Sequence, residues 1–288
     1  MNSYLDKFKI YLQSQDRAPK TVGEYVSDLT IFAQWLESNR DEIFTPKAIT
    51  PTDLRDYRTH LLNVEKRSPA TINRKLASVR VFCQWAIDCR FIESNPTSGI
   101  KSVKEVAQPP RWLDRKEVNA LRRAAEKSEP RNLAILLLML NTGLRVSEVA
   151  GLTLDDVTLK ERKGSIVVRG KGTKVRIVPL NAEVRKKLQE YLEQRPKVKH
   201  TALFVGQKGN PLGKQGIQYQ IKMLAQNAKL GEVSAHTLRH TFAKNLVDVQ
   251  VSLDQVATLM GHSSLTTTAR YTKPSQQDLA RAVERLGE

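Results

Sequence analysis

Cysteine is nearly absent: Cys83 and Cys89 are the only two in the 288-residue chain. Six residues apart in one helix-like segment, they suit neither a disulfide framework nor a zinc spacing. A reducing, cytoplasmic setting is therefore expected, with no metal and no cofactor. Long apolar runs are lacking as well. The most apolar, LAILLLML at 133–140, is far shorter than the ~20 residues needed to span a bilayer. Residues 1–12 are charged and amphipathic, without the apolar core and small-residue cleavage site of a signal peptide. No membrane association is expected. No Gly-x-x-x-x-Gly-Lys-Ser/Thr loop occurs, so the usual phosphate cradle for ATP is missing. Acidic residues are scarce too: 30 Asp+Glu stand against 47 Lys+Arg, a net charge of +17. That balance favours a polyanionic partner.

The positive excess is uneven. Residues 1–105 hold 16 Lys+Arg and 13 Asp+Glu, and the remainder hold 31 and 17. A strong phosphate-binding surface belongs in the second part. The first hundred residues read as about four helices with apolar residues at three- and four-residue spacing, the outline of a small bundle. Thr21 is a plausible N-cap with Glu24 completing a capping box, and Ser68 caps a helix with Pro69 in its first turn. NPTSGIKSVKEVAQPPR at 95–111 breaks the periodicity with three prolines and a glycine. The expected division is a helical domain at 1–100, a linker at 101–111 and a second domain at 112–288. In the second domain, helical periodicity resumes at Asp114 and a buried helix runs to near Gly143. GSIVVRGKGTKVRIVPL at 164–180 reads as two strands around a glycine-bracketed turn. The fold class is mainly α with a small antiparallel β-sheet.

Five short stretches could carry chemistry. Arg145 in NTGLRVSEVAGL follows a buried helix, and Glu148 three residues on would share its face and could orient it; the plain alternative is a surface arginine. Lys171 sits between two glycines that permit close backbone approach, although most turn lysines are merely solvated. In HTLRH, His236 and Arg239 stand i, i+3 and suit two oxygens of one phosphate; His240 is expected to point elsewhere as a structural residue. His262 in LMGHSSLTT follows Gly261, near a helix start where anions bind readily. Tyr271, about two turns beyond Ser264, is either a packing residue or a nucleophile.

Singly these signals are weak, but their order is specific. TGLRVSEVAGLTLDDV, RGKGTKVRIVPL, HTLRHTFAKNLVD and LMGHSSLTTTARYT together resemble the tyrosine recombinases, also called the phage-integrase or Xer-like site-specific recombinases. The resemblance covers nearly the whole chain, and the first helical region looks like the family's core-DNA-binding domain. Three departures stand off the catalytic positions: Met260 before Gly-His, Lys273 after Tyr-Thr, and Gln250-Val251 ahead of SLDQVATLM.

The resemblance implies DNA strand exchange through a 3′-phosphotyrosine intermediate and a Holliday junction. A phenol with a pKa near 10 needs proton removal and surrounding positive charge to attack a phosphodiester. Arg145 and Arg239 would clamp the non-bridging oxygens, His262 would add a hydrogen bond, His236 would take the tyrosine proton and Lys171 would protonate the leaving 5′-oxygen. Arg74, Lys75 and Arg80 are candidate DNA contacts of the first domain, with a solvated helix face as the plain alternative. The implied partner is double-stranded DNA with inverted-repeat half-sites, bound by a homo-oligomer, a dimer per site and a tetramer in synapsis. An accessory protein or a second recombinase is a further possible partner. The implied task is dimer or cointegrate resolution, or integration and excision of a mobile element. SQQDLARAVERLG at the end could pack on its own body or on a neighbour, and the resemblance favours a neighbour. The rival readings are a type IB topoisomerase and a DNA-binding protein without catalysis.

Overall fold

Prolines open most of the helices in the first part of the chain, as their fixed φ and missing N–H suit a helix start. In the computed structural model, helices α1 (Ser3–Ser14), α2 (Pro19–Arg40), α3 (Pro51–Asn63) and α4 (Pro69–Asp88) follow one another. The structure describes residues 3–105, 110–170, 175–262, 264–269, 271–272 and 283. The chain folds into two compact units, Met1–Ala107 and Gln108–Glu288.

The first unit closes on an aromatic-rich core. Phe8, Phe32, Phe44, Tyr57 and Phe82 are all fully buried, and rings such as Phe8–Phe82 meet edge-on at 5.3 Å, a favoured geometry. The caps are partly as expected. Ser68 Oγ accepts the Thr71 N–H at 3.3 Å, and Thr50 forms a reciprocal capping box with Asp53 at the start of α3. Thr21 is not a cap. Helix α2 starts at Pro19, behind Ala18, with no side-chain cap hydrogen bond, so the proline sets the start and Thr21 falls inside the first turn.

The three candidate DNA contacts on α4 differ from one another. Lys75 is buried, with its ammonium 3.6 Å from the buried Asp28 carboxylate. The surface-contact expectation is therefore corrected for Lys75, since a charge so enclosed stays with its counter-ion. Arg74 also pairs with Asp28 but its side chain remains half exposed. Arg80 is exposed and donates to the Ile100 carbonyl at 3.4 Å. Residues 101–105 run along this unit rather than away from it. Asn73 exchanges two hydrogen bonds with the Val103 backbone, at 2.8 and 3.0 Å, and Arg58 donates to the Lys101 carbonyl.

The second unit is built around one apolar helix. Helices α5 (Arg115–Glu126) and α6 (Pro130–Thr142) come first, and every residue from Arg131 to Leu140 in α6 is buried. Gly143 ends α6 in the left-handed conformation (φ 61°), and an added Cβ would lie 2.3 Å from Phe242. Only glycine meets both demands. A short helix α7 (Val146–Ala150) leads into strands β1 (Val157–Leu159), β2 (Gly164–Arg169) and β3 (Val175–Pro179). The sheet is antiparallel in the order β1-β2-β3, and Arg169 opposite Val175 closes the β2–β3 pairing. β1 is a third strand beyond the expected pair; at three residues it is too short for alternation to reveal it. Helices α8 (Ala182–Gln194), α9 (Lys214–Asn227), α10 (Ala235–Asp248), α11 (Leu253–Met260) and α12 (Leu265–Ala269) then follow. α6 packs on α5, α8, α9 and α10, so α10 is held rigidly against the end of α6 that delivers Arg145.

Candidate active site

Two chain reversals present the candidate residues. After α6, Gly143 turns the backbone so that Arg145 stands at the N-terminus of α7. Its side chain is 40% exposed, while the Glu148 side chain is only 6% exposed. At the end of α11, Gly261 (φ 64°) closes the helix and the His262 N–H reaches back to the Ala257 carbonyl at 3.0 Å. This left-handed cap fixes His262 beside the helix end.

Glu148 is the hub. Its carboxylate accepts the Arg145 backbone N–H at 2.7 Å and Arg145 Nη1 at 2.9 Å. It also accepts Arg176 Nη1 and Nη2 at 3.0 and 2.9 Å, a two-point guanidinium–carboxylate pair. Arg239 Nη1 stands 4.0 Å away. Burial alone would raise the Glu148 pKa. The Arg176 hydrogen bond, the Arg145 N–H and the two guanidinium charges outweigh it and hold the carboxyl below its ordinary value. Arg145 and Glu148 are in contact across their i, i+3 spacing.

Arg239 is buried, donating to the carbonyls of Gly143 and Met260. Burial lowers its pKa to about 10, with the Arg145 charge acting the same way and Glu148 opposing, so it stays charged at neutral pH. Arg239 thereby ties the end of α6 to the end of α11. Arg145 Nη2 reaches the Gly261 carbonyl at 3.3 Å, a second tie between the two reversals. Arg145, Glu148, Arg169, Arg176, Gly261 and His262 line an open cleft of about 980 Å³.

Tyr271 is 2% exposed and packs with Phe242, Ala243, Val256 and Met260. Its hydroxyl is 2.7 Å from His240 Nδ1. His240, expected to be structural and turned away, is thus the imidazole in contact with the phenol. Residues 236, 239 and 240 stand i, i+3 and i+4 on α10, so they share one face, a signal present in the spacing. His236 is exposed, and its ring lies 6.0 Å from that of His240, nearly parallel to it. His262 Nδ1 meets the buried Thr268 hydroxyl at 2.8 Å, and the Thr268 carbonyl accepts the Tyr271 N–H at 3.0 Å. Thr268 therefore links His262 to the segment bearing Tyr271. Lys171 lies outside the described residues.

Sequence reasoning also missed Arg176. Val175 and Ile177 on β3 are exposed, while Arg176 and Val178 face the other way. A charge on the inward face of a strand calls for a buried partner, and that alternation was readable.

The family models cover both units. One described as "Phage integrase family" matches residues 111–278, and one described as "Phage integrase, N-terminal SAM-like domain" matches residues 5–89. The chain belongs to the phage integrase family. Its relatives include tyrosine recombinase XerD of Halalkalibacterium halodurans, 32% identical over 94% of this chain and 93% of that protein. Tyrosine recombinase XerC of Neisseria meningitidis is 33% identical over 98% and 95%. A solved XerH site-specific recombinase, bound to palindromic difH substrate in a post-cleavage complex, shares the fold. Its TM-score is 0.78 at 25% identity, over 99% of this chain and 84% of that one. For a tyrosine recombinase of this family, the activity is DNA strand breakage and rejoining. Among the described residues, no helix is long and apolar enough to cross a membrane, and no group of three or more His, Cys, Asp or Glu could hold a metal ion.

The Glu148 hub has a measurable pH signature. Its folded pKa is depressed, so its contribution to stability is fully present above the ordinary carboxylate pKa and is lost as pH falls through the folded value. Glu148→Gln is expected to cost about 1–3 kcal/mol at pH 7, since it removes the anionic partner of the partly buried Arg176 guanidinium. Urea unfolding of parent and variant should show the gap narrowing below about pH 4.3, the unperturbed glutamate value. A gap that is the same at pH 7 and pH 3 would mean that folding does not depress the Glu148 pKa.

Proposed function

We propose that the chain cleaves and rejoins duplex DNA at a specific site, with Tyr271 as nucleophile. The phenol oxygen attacks a backbone phosphorus, the P–O5′ bond breaks, and the 5′-oxygen leaves as a hydroxyl after protonation. The product is a 3′-phosphotyrosine ester, which retains the phosphodiester energy, so a 5′-hydroxyl of a partner strand can reverse the step without ATP. Arg145, Arg239 and His262 stabilise the charge that builds on the non-bridging oxygens. Lys171 protonates the leaving oxygen. His240 holds the phenol in the buried arrangement, and His236 takes its proton once Tyr271 moves to the cleft.

The observation that carries this reading is the cluster of Arg145, Arg176 and Arg239 around one carboxylate at a cleft that also holds His262. Three guanidinium charges against one carboxylate leave the cluster net positive beside the cleft, which favours an anion such as a backbone phosphate. The charge excess of residues 106–288 points to the same polyanion.

The reading includes double-stranded DNA with inverted-repeat half-sites, one protomer per half-site, and two sites joined in a tetramer. An accessory protein or a second recombinase has a place in that assembly. Arg74 and Arg80 of the first unit are the proposed DNA contacts there, with phosphate contacts setting affinity and its salt dependence. The biological task is resolution of dimers or cointegrates, or integration and excision. The test uses a duplex pool with randomised inverted arms of about one helical turn, ~10 base pairs, around a short spacer. Bound duplexes are selected, nicked in the spacer and incubated with the protein. A protein–DNA adduct at a 3′ end is expected, and exchange of strands between two labelled duplexes separates recombination from rejoining of the same strand. A protein that selects a sequence yet never attaches to it would be a binding factor, and the reading would fail.

A further inference from the structure

Arg176 adds its charge to the cluster but is given no step in the reaction just described, yet it occupies the centre of the site. All three of its guanidinium nitrogens are engaged. Nη1 and Nη2 pair with the two Glu148 oxygens, and Nε donates to the Leu259 carbonyl at 3.0 Å. The side chain is 15% exposed. Its guanidinium also lies flat against Gly261, where an added Cβ would sit 2.7 Å from Nη1 and 2.9 Å from Cζ. The absence of a side chain at Gly261 is what admits the arginine. The contacts close a ring that runs from Arg145 to Glu148, to Arg176, to the end of α11 at Leu259 and Gly261, and back to Arg145.

We propose that Arg176 is a positioning residue for the phosphate clamp, keeping Glu148 charge-balanced so that the Arg145 guanidinium is left for a DNA phosphate. This rests on the proposed recombinase reaction at the same cleft. The physical reason is competition for one carboxylate. Glu148 is nearly excluded from water, so its charge seeks the nearest cation strongly. Arg176 answers that demand with two parallel hydrogen bonds and cannot swing away, being pinned by Leu259 and Gly261. Without it, Arg145 becomes the main donor to Glu148. Its second guanidinium nitrogen, which now reaches the Gly261 carbonyl at the cleft wall, would then turn toward the carboxylate. The net charge of the cluster would also drop by one. Lysine cannot replace it fully, because an ammonium lacks the planar fork that spans a carboxylate and a carbonyl together.

The test uses the duplex selected by the wild-type protein, in two forms. One carries the normal phosphodiester at the mapped cleavage position. The other carries a methylphosphonate there, which removes the negative charge that Arg145 is proposed to clamp. Adduct formation is followed in single turnover, and binding of uncut duplex is measured alongside. On the phosphodiester, Arg176→Gln is expected to slow adduct formation about 10–100-fold, the scale of a misplaced catalytic group, with binding changed less than about 3-fold. On the methylphosphonate, the slowing relative to wild type should shrink to a few-fold. In an Arg145→Ala background, Arg176→Gln should add little, because both act through one group.

A variant slowed equally on both substrates would mean general damage and overturn the proposal, as would full additivity with Arg145→Ala or no slowing at all. Should Arg176→Gln fail to fold, Arg176→Lys keeps the charge and is expected to show the same substrate-dependent loss at smaller size; equal loss on both substrates would again overturn it. Failure of the wild-type protein to form any adduct would instead defeat the recombinase reading itself.

Discussion

Tyr271→Phe is expected to leave the selected duplex bound with unchanged affinity and to abolish covalent attachment completely. The variant removes one oxygen and keeps the ring, which is packed against Phe242, Val256 and Met260 with 2% exposure. The folded state loses the hydroxyl's hydrogen bond to His240 at 2.7 Å, a change of about 1 kcal/mol. Stability and binding therefore hardly move, while the attacking atom is gone. Denaturing gels of the nicked duplex, with the cleaved strand labelled at its 5′ end, read the result directly. An adduct formed by the Phe variant would show that another residue is the nucleophile. Because the hydroxyl rests on His240 in a buried setting, adduct formation by the wild type should also include a step that brings the phenol out to the cleft.

Arg145→Ala is the second large effect. Removing one preorganised donor to a developing anionic charge typically costs about 10²–10³ in rate, and a loss of that size in single-turnover cleavage is expected. Stability should change little, for a structural reason. Arg145 is 40% exposed, and Glu148 keeps both hydrogen bonds from Arg176 and the one from the Arg145 backbone N–H, which alanine still supplies. Unfolding midpoints of parent and variant should then agree to within about 0.5 kcal/mol, the range of ordinary surface changes. Arg239→Ala would be a poorer probe of the same chemistry. Arg239 is buried and satisfies the carbonyls of Gly143 and Met260, so its loss would mix folding with catalysis. A fall in activity below ten-fold for Arg145→Ala would remove Arg145 from the clamp.

Much of the site was legible because its parts are tied to local signals. Gly143 and Gly261 announce left-handed helix ends, and each places a candidate residue, Arg145 or His262, just beyond it. The i, i+3 spacing of Arg145 and Glu148 carried their pairing, and the buried run of α6 marked the rigid base beneath them. The missed cap at Thr21 has an equally local cause, since Pro19 starts the helix two residues earlier. Lys75 was misread because helical spacing alone does not say which face is covered; Asp28, on α2, decides that.

The chain's order of Arg, Lys, His-x-x-Arg, His and Tyr, its basic second part and its apolar periodicity were enough by themselves to define the family and the mainly helical class, and to nominate the groups proposed to react. These are one-dimensional properties, set by residue type and spacing. Tertiary structure decided which groups touch: that His240 meets Tyr271, that Lys75 is enclosed, and that Arg176 from strand β3 joins Glu148 from α7 and Leu259 from α11. Those residues are separated by 28 and 83 positions along the chain. No periodicity reaches across such distances. Only the packing of the strand and the two helix ends against α6 and α10 brings one carboxylate among three arginines.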